Sequence, residues 1–202
     1  MTLSFYYFCK FIVMKRLLIY NVFLLILMSC GANKQFTAQD NQAYQQLQDL
    51  VASRSFEIVS TSARPIATAA FTKVANSNIL GPGNNAGHID ISANGNVVVV
   101  KGDSIRGNLP FFGERNFGGS YGSNHTGIEF NGIPKNYKVT QNNKKHTIEI
   151  TFNISDEYQR NERYDMTITL YPNYKSNIRV QSTSRSSIEF SGRVSRLQTD
   201  KE

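Results

Sequence analysis

From Phe56 onward, apolar side chains return at every second position, and no other feature constrains the fold as strongly. "HTIEITFNI" sets Ile148, Ile150, Phe152 and Ile154 against Thr147, Glu149, Thr151 and Asn153. "MTITLY" repeats the pattern with Met166, Ile168 and Leu170, "NIRVQS" with Ile178 and Val180, and "SIEFSGRV" with Ile188, Phe190 and Val194. A period of two describes strands with one face turned inward. "FEIVS", "HIDIS", "VVVVKG", "SIRGNLPFF", "GIEF" and "YKVT" bring the expectation to nine or ten strands. The connections are too short for helical crossovers, so neighbours must pair antiparallel. The predicted fold is all-β: an antiparallel meander closing into a barrel-like, lipocalin-like sheet, or a two-sheet sandwich. Asn94-Gly95 is a strong turn signal and predicts a hairpin joining "HIDIS" to "VVVVKG".

The inward set (Ile148, Ile150, Phe152, Met166, Ile168, Leu170, Ile188, Phe190) is bulky, which predicts a filled interior. Ahead of the strands, "AYQQLQDLVAS" places Tyr44, Leu47, Leu50 and Val51 at helical spacing. That is one short amphipathic helix with a single apolar stripe for the sheet.

The first thirty residues read differently. Lys15 and Arg16 precede "LLIYNVFLLILMS", an apolar run of 13 residues, shorter than the ~20 needed to span a bilayer. It fits the apolar region of a secretory signal with a basic pair in front. The run ends at Leu27-Met28-Ser29-Cys30-Gly31, which resembles the bacterial lipobox. The resemblance implies cleavage before Cys30, a thioether to diacylglycerol on its sulfur, and an acylated amino terminus. Cys9 and Cys30 are the two cysteines, so the folded part has neither a disulfide nor a thiolate metal site. The expected organisation is a signal peptide over 1–29, with Met14 the more natural start. A lipidated tether over 30–41, one β-rich domain with its N-terminal helix over 42–197, and a polar tail over 198–202 follow. Gly31 after the cysteine favours the outer membrane by the same resemblance, with the domain facing the periplasm.

A formal charge of +7 invites a nucleic-acid reading. Lys10, Lys15 and Arg16 precede Cys30, however, and the remainder carries 19 basic and 15 acidic residues. Spread along the chain, that surplus is a mild bias and predicts no nucleic-acid partner.

Four strings, "HIDIS", "VVVVKGDSIRGNLPFFG", "GIEFNG" and "RSSIEFSGRV", together resemble a domain-of-unknown-function family of Gram-negative secreted lipoproteins, number 4251. The likeness runs from about Phe56 to Val194. It departs at the Gly/Asn-rich "GPGNNAG" and "RNFGGSYGSNHTG". The resemblance implies the domain limits and an envelope location, and it implies no activity.

Candidate chemistry is sparse. "LPFFGERNFGGSYGSNHTG" gathers Phe111, Phe112, Phe117 and Tyr121 with Arg115 among five glycines. Such a loop could stack aromatics on a ligand while Arg115 binds an anion; the competing reading makes Phe111 and Phe112 core and lid residues. Asp103, following "VVVVKG", could be a ligand-binding carboxylate or simply a turn residue. His88, His125 and His146 lack metal-like spacing, and His88, opposite the isoleucines of its strand, is expected in solvent. "EYQRNER", Glu157 to Arg163, reads as a solvated charged connector. No nucleophile elbow, metalloprotease motif or carboxylate pair is present, so neither enzyme, metal nor cofactor is expected. The expected function is a non-enzymatic binding or interaction module, held to the membrane through Cys30 and meeting an envelope protein or a small molecule. The alternatives are a lipid- or glycan-binding barrel and a hydrolase whose site sequence does not reveal.

Overall fold

The computed structural model describes residues 14–16, 20, 36–66, 68–77, 79–93, 95–117, 125–159 and 161–197. Cys30, Asn94, Tyr121, most of the leader and the tail after Leu197 therefore lie outside the described residues. The chain divides into Met1–Phe36 and a compact unit Thr37–Glu202. The core side chains all belong to the second unit, which is built around its own interior.

Helix α1 (Ala38–Ala52) opens that unit. Thr37 and Asp40 form a capping box: the Asp40 amide donates to Thr37 Oγ1 (3.1 Å) and the Thr37 amide to Asp40 Oδ2 (2.9 Å). The expected stripe of Tyr44, Leu47, Leu50 and Val51 is buried. The cap sets the helix start at Ala38, inside the stretch 30–41 that the sequence assigns to the tether.

Ten strands follow: β1 (Ser55–Pro65), β2 (Ile89–Asp90), β3 (Val97–Lys101), β4 (Ser104–Leu109), β5 (Ile128–Gly132), β6 (Lys135–Asn142), β7 (Thr147–Ser155), β8 (Arg163–Leu170), β9 (Lys175–Ser182) and β10 (Ile188–Arg196). A short helix α2 (Ala69–Ala75), absent from the sequence-based expectation, lies between β1 and β2, with Thr68 as its N-cap. The strand order is β5-β4-β3-β1-β10-β9-β8-β7-β6, antiparallel throughout, with β2 beside β1. The result is a curled half-barrel. β2 and β3 do not form the hairpin that Asn94-Gly95 predicts. They lie end to end along one edge of β1, β3 on Ser55 to Val59 and β2 on Ser62 and Ala63. The Asn96 carbonyl accepts from the Ser60 amide (2.8 Å) between them, so pairing to β1 wins over the local turn.

β5 and β6 are the two outermost strands of the order, yet only Ile133 and Pro134 separate them. The sheet must therefore curl until its edges meet. At this corner Asn136 takes a left-handed φ of 55° and the β6 register shifts. The Glu157 amide reaches across to the Glu129 carbonyl (2.8 Å), tying β5 to the end of β7.

Curling turns one face of every strand inward, and large side chains fill the space. Phe56, Phe130, Phe190, Tyr164, Met166, Ile148 and Ile150 are fully buried. Each is worth roughly 1.5–3 kcal/mol of transfer free energy. Phe130 meets Phe152 edge-on at 6.4 Å and Tyr164 at 6.2 Å between ring centroids. Gly192 sits at the β1 bulge, where a Cβ would lie 2.0 Å from the Val59 carbonyl oxygen; close backbone approach explains the glycine in "SIEFSGRV".

Candidate functional site

One end of the half-barrel is covered by α1, which joins the turn after β6 and the turn before β9. Tyr44 stacks on buried His146 (4.7 Å, 2° between planes), and Gln48 donates to Gln141 (2.9 Å). The Tyr174 hydroxyl donates to Gln46 Oε1 (3.3 Å). At the other end the loops after β4, β7 and β9 converge, and charged side chains go inside.

The network there grows from strand ends. Continuing past β7, Asp156 turns inward at 8% exposure. Its Oδ1 accepts from the Tyr158 and Gln159 amides (2.8 and 2.7 Å), and Oδ2 from the Tyr164 hydroxyl (2.5 Å). Just before β8, Glu162 is 3% exposed and accepts from the Ser182 and Ser184 hydroxyls. Arg115 Nη1 lies 3.5 Å from Glu162 Oε2 and donates to Gln159 Oε1 (3.0 Å). Arg185, fully buried at its side chain, donates from Nη1 to the Thr126 and Gly127 carbonyls (2.9 and 2.6 Å). Its Nε stands 3.9 Å from Glu162 Oε1, and its Nη2 4.0 Å from Asp156 Oδ2; among the described residues neither nitrogen makes a hydrogen bond. Phe111 covers the guanidinium, its centroid 5.2 Å away. The cluster thus sets two cations against two carboxylates, with Arg185, Asp156 and Glu162 buried and Arg115 partly exposed.

Burial opposes the charge on Glu162, but two hydroxyl donors and two guanidinium groups outweigh it and hold its carboxyl below the usual range. Burial and the bond to Asp156 push the Tyr164 phenol far upward, so it stays a donor. An ionised glutamate is no proton donor, and the Ser182 and Ser184 hydroxyls both donate to it. His146 lies against Tyr44 and His88 is exposed beside β2, while His125 borders the network, its ring stacked on Tyr158 (3.6 Å) and 3.3 Å from Glu129 and its carbonyl accepting from Gln159 (3.3 Å). Among the described residues no three His, Cys, Asp or Glu side chains are placed to hold a metal ion. What the arrangement does chemically is clamp three loops together.

The predicted site residues divide. Phe111, Phe112 and Arg115 come together at the loop end, the two rings partly buried against the core and Arg115 committed to Glu162. Asp103 is at the opposite end, in the turn between β3 and β4. It is 82% exposed and pairs with Arg54 at 2.5 Å, as a turn residue would. Cys30 falls outside the described residues. In the connector 157–163, Glu157, Tyr158, Asn161 and Arg163 are exposed as expected, but Glu162 is buried against Arg115 and Arg185. His88 is exposed as expected. Beside the network, on the outer side of the β5–β6 corner, a cleft of about 490 Å³ is lined by Asn131, Asn136, Asn153, Arg163 and Asp165 among others. An amide chain runs through it, Asn136 donating to Asn153 Oδ1 (2.8 Å) and Asn153 to Asp165.

A family model described as "Domain of unknown function (DUF4251)" matches residues 38–194, from the first turn of α1 to the last inward residue of β10. The chain belongs to the DUF4251 family. The match takes in the helix as well as the sheet, so α1 is part of the DUF4251 domain, and the Phe56 start read from the motifs was too late. Among solved structures, a DUF4251 family protein from Bacteroides eggerthii DSM 20697, a crystal structure at 1.95 Å, is similar at 14% identity. The similarity covers 79% of this chain and 91% of that one, with a TM-score of 0.48. No curated protein matches this DUF4251 chain.

Proposed function

We propose that this DUF4251 protein is a non-enzymatic binding module, anchored through lipid on Cys30 to the periplasmic side of the outer membrane, that recognises its partner on its outer surface. The filled interior carries this reading. Phe56, Phe130, Tyr164 and Phe190 occupy the space where a lipid or glycan would sit in an open calyx, while α1 closes one end and the Arg185 network the other. A small-molecule barrel needs an interior that these side chains leave no room for. A hydrolase needs a free base beside a nucleophile, and Glu162 already accepts from Ser182 and Ser184 and faces the guanidinium groups of Arg115 and Arg185. The anchor is supported by the sequence around Cys30.

Crosslinking in intact envelopes, followed by recovery of the tagged protein, tests the reading. Defined envelope proteins should be captured. Recovery of none, together with a co-purifying small molecule, would reverse the order of the two binding readings.

A further inference from the structure

Resting on the lipid-anchor reading above, we propose that the α1-covered end of the half-barrel is a docking surface for anionic phospholipid. The basic residues look dispersed along the sequence; the fold gathers them. Register sets Lys101 opposite Ser55, Arg196 opposite Phe56, and Lys175 opposite Arg193, all at the end where β1 begins. Lys144 and Lys145 occupy the turn between β6 and β7 at that same end. There Tyr44 of α1 reaches Asn143 (3.2 Å). All six cations are exposed, and none forms an ion pair among the described residues.

The acids at that end do not cancel them. Asp103 is taken by Arg54 and Asp40 is engaged in the helix cap, and Asp49, Glu57 and Glu149 offset only part of the remaining charge. Towards the loop end, by contrast, Glu189 takes up Arg64 and Arg179, and Asp156 and Glu162 take up Arg185 and Arg115. Lys135 and Arg163 are also exposed at the loop end, but they share a cleft with Glu157 and Asp165, so the larger share of the excess positive charge lies at the α1 pole. Tyr171, exposed just before Lys175, adds a ring with a polar tip of the kind that suits the headgroup level.

The occupant is set by where the chain leads. α1 lies over this pole and starts at Ala38 behind its Thr37 cap, and seven residues carry the chain from Cys30 to Thr37. Fully extended they reach about 25 Å, so a lipid on Cys30 would hold this pole against the bilayer. Charge attraction acts over about 8 Å at physiological salt, and the tether raises the local concentration that makes weak contacts count.

The domain Thr37–Glu202, with its own core and helix cap, is mixed with phosphatidylcholine vesicles with or without phosphatidylglycerol and sedimented. It should sediment with the anionic vesicles at low salt and be released as salt rises. Combining Lys144→Gln, Lys145→Gln and Lys175→Gln should weaken that partitioning roughly a hundredfold, each charge being worth about fivefold near such a surface. Circular dichroism of the same samples reports that the fold is kept, and Arg64→Gln, far from this pole, should bind like the parent. Absence of binding, equal binding to neutral vesicles, or an unaffected triple variant would overturn the proposal. Equal affinity for soluble heparin would also overturn it and point to an anionic glycan. The fragment lacks Cys30, so failure here leaves lipid attachment standing, and failure of attachment leaves the vesicle result standing.

Discussion

Gly107 stands directly opposite Phe130 across the β4–β5 ladder, and the phenyl ring lies over the strand where glycine has no side chain. A Cβ at position 107 would be 2.2 Å from Phe130 Cζ. The ring cannot retreat, because Phe152 and Tyr164 bound it on the far side. Gly107→Ala should therefore destabilise the domain by about 1–3 kcal/mol through overpacking, read as a lower urea midpoint. Adding Phe130→Leu should recover part of that loss. If the double variant were simply the sum of the two singles, the contact would not be the cause.

Arg185 neutralises two buried carboxylates without forming an ideal bond to either. Arg185→Met would leave Asp156 and Glu162 under-compensated and remove the donor from the Thr126 and Gly127 carbonyls. A loss of about 3–5 kcal/mol is expected. Thermal unfolding followed by circular dichroism measures it, and a midpoint unchanged within error would contradict the network's role.

The same network sets how stability varies with acidity. Glu162 has its carboxyl held below the unfolded value. Its contribution is complete above about pH 4.3, the unfolded value, and is lost as pH falls through the lower folded value. Glu162→Gln should flatten the acid limb of a stability profile while lowering stability at neutral pH. Tyr164 acts at the opposite limb. Its raised phenol leaves stability complete below about pH 10, with loss on further alkalinisation. Urea midpoints across pH would expose both limbs, and an acid limb shared by parent and Glu162→Gln would reassign the effect.

Cys30→Ser should abolish labelling by radioactive palmitate and leave the precursor uncut, since a hydroxyl cannot form the thioether that precedes cleavage. A fragment starting at Thr37 should stay soluble and β-rich, because its core contains no cysteine. Wild-type protein found soluble in the periplasm with a free Cys30 thiol would end the lipoprotein reading.

The period of two makes nine or ten antiparallel strands, their inward faces and a bulky interior legible in the sequence. It could also have exposed the buried network. Extending the inward parity of β7 past Ile154 lands on Asp156, that of β8 back past Tyr164 on Glu162, and that of β9 past Val180 on Ser182 and Ser184. Charged and hydroxyl residues on inward parity were the signal, hidden by reading the connector as surface. Arg185 carries no such mark, because it lies outside that alternation and enters through a bridge with Arg115. The displaced pairing of β2 and β3 was beyond reach for another reason. A local turn preference competes there with long-range pairing to β1, and sequence weighs only the first.

β1 lies between β3 and β10, so the first strand of the domain completes its pairing only with the last. More than 120 residues separate Phe56 from its partner Arg196. The hairpins from β6 to β10 can assemble locally, but the central ladder cannot close until the last strand is present. Folding of this domain is thus a late, whole-chain event whose rate is governed by closing one very large loop. Until that moment the exposed edges of β1 and β10 are open to other chains, and the growing polypeptide must be shielded for the entire time it takes to emerge.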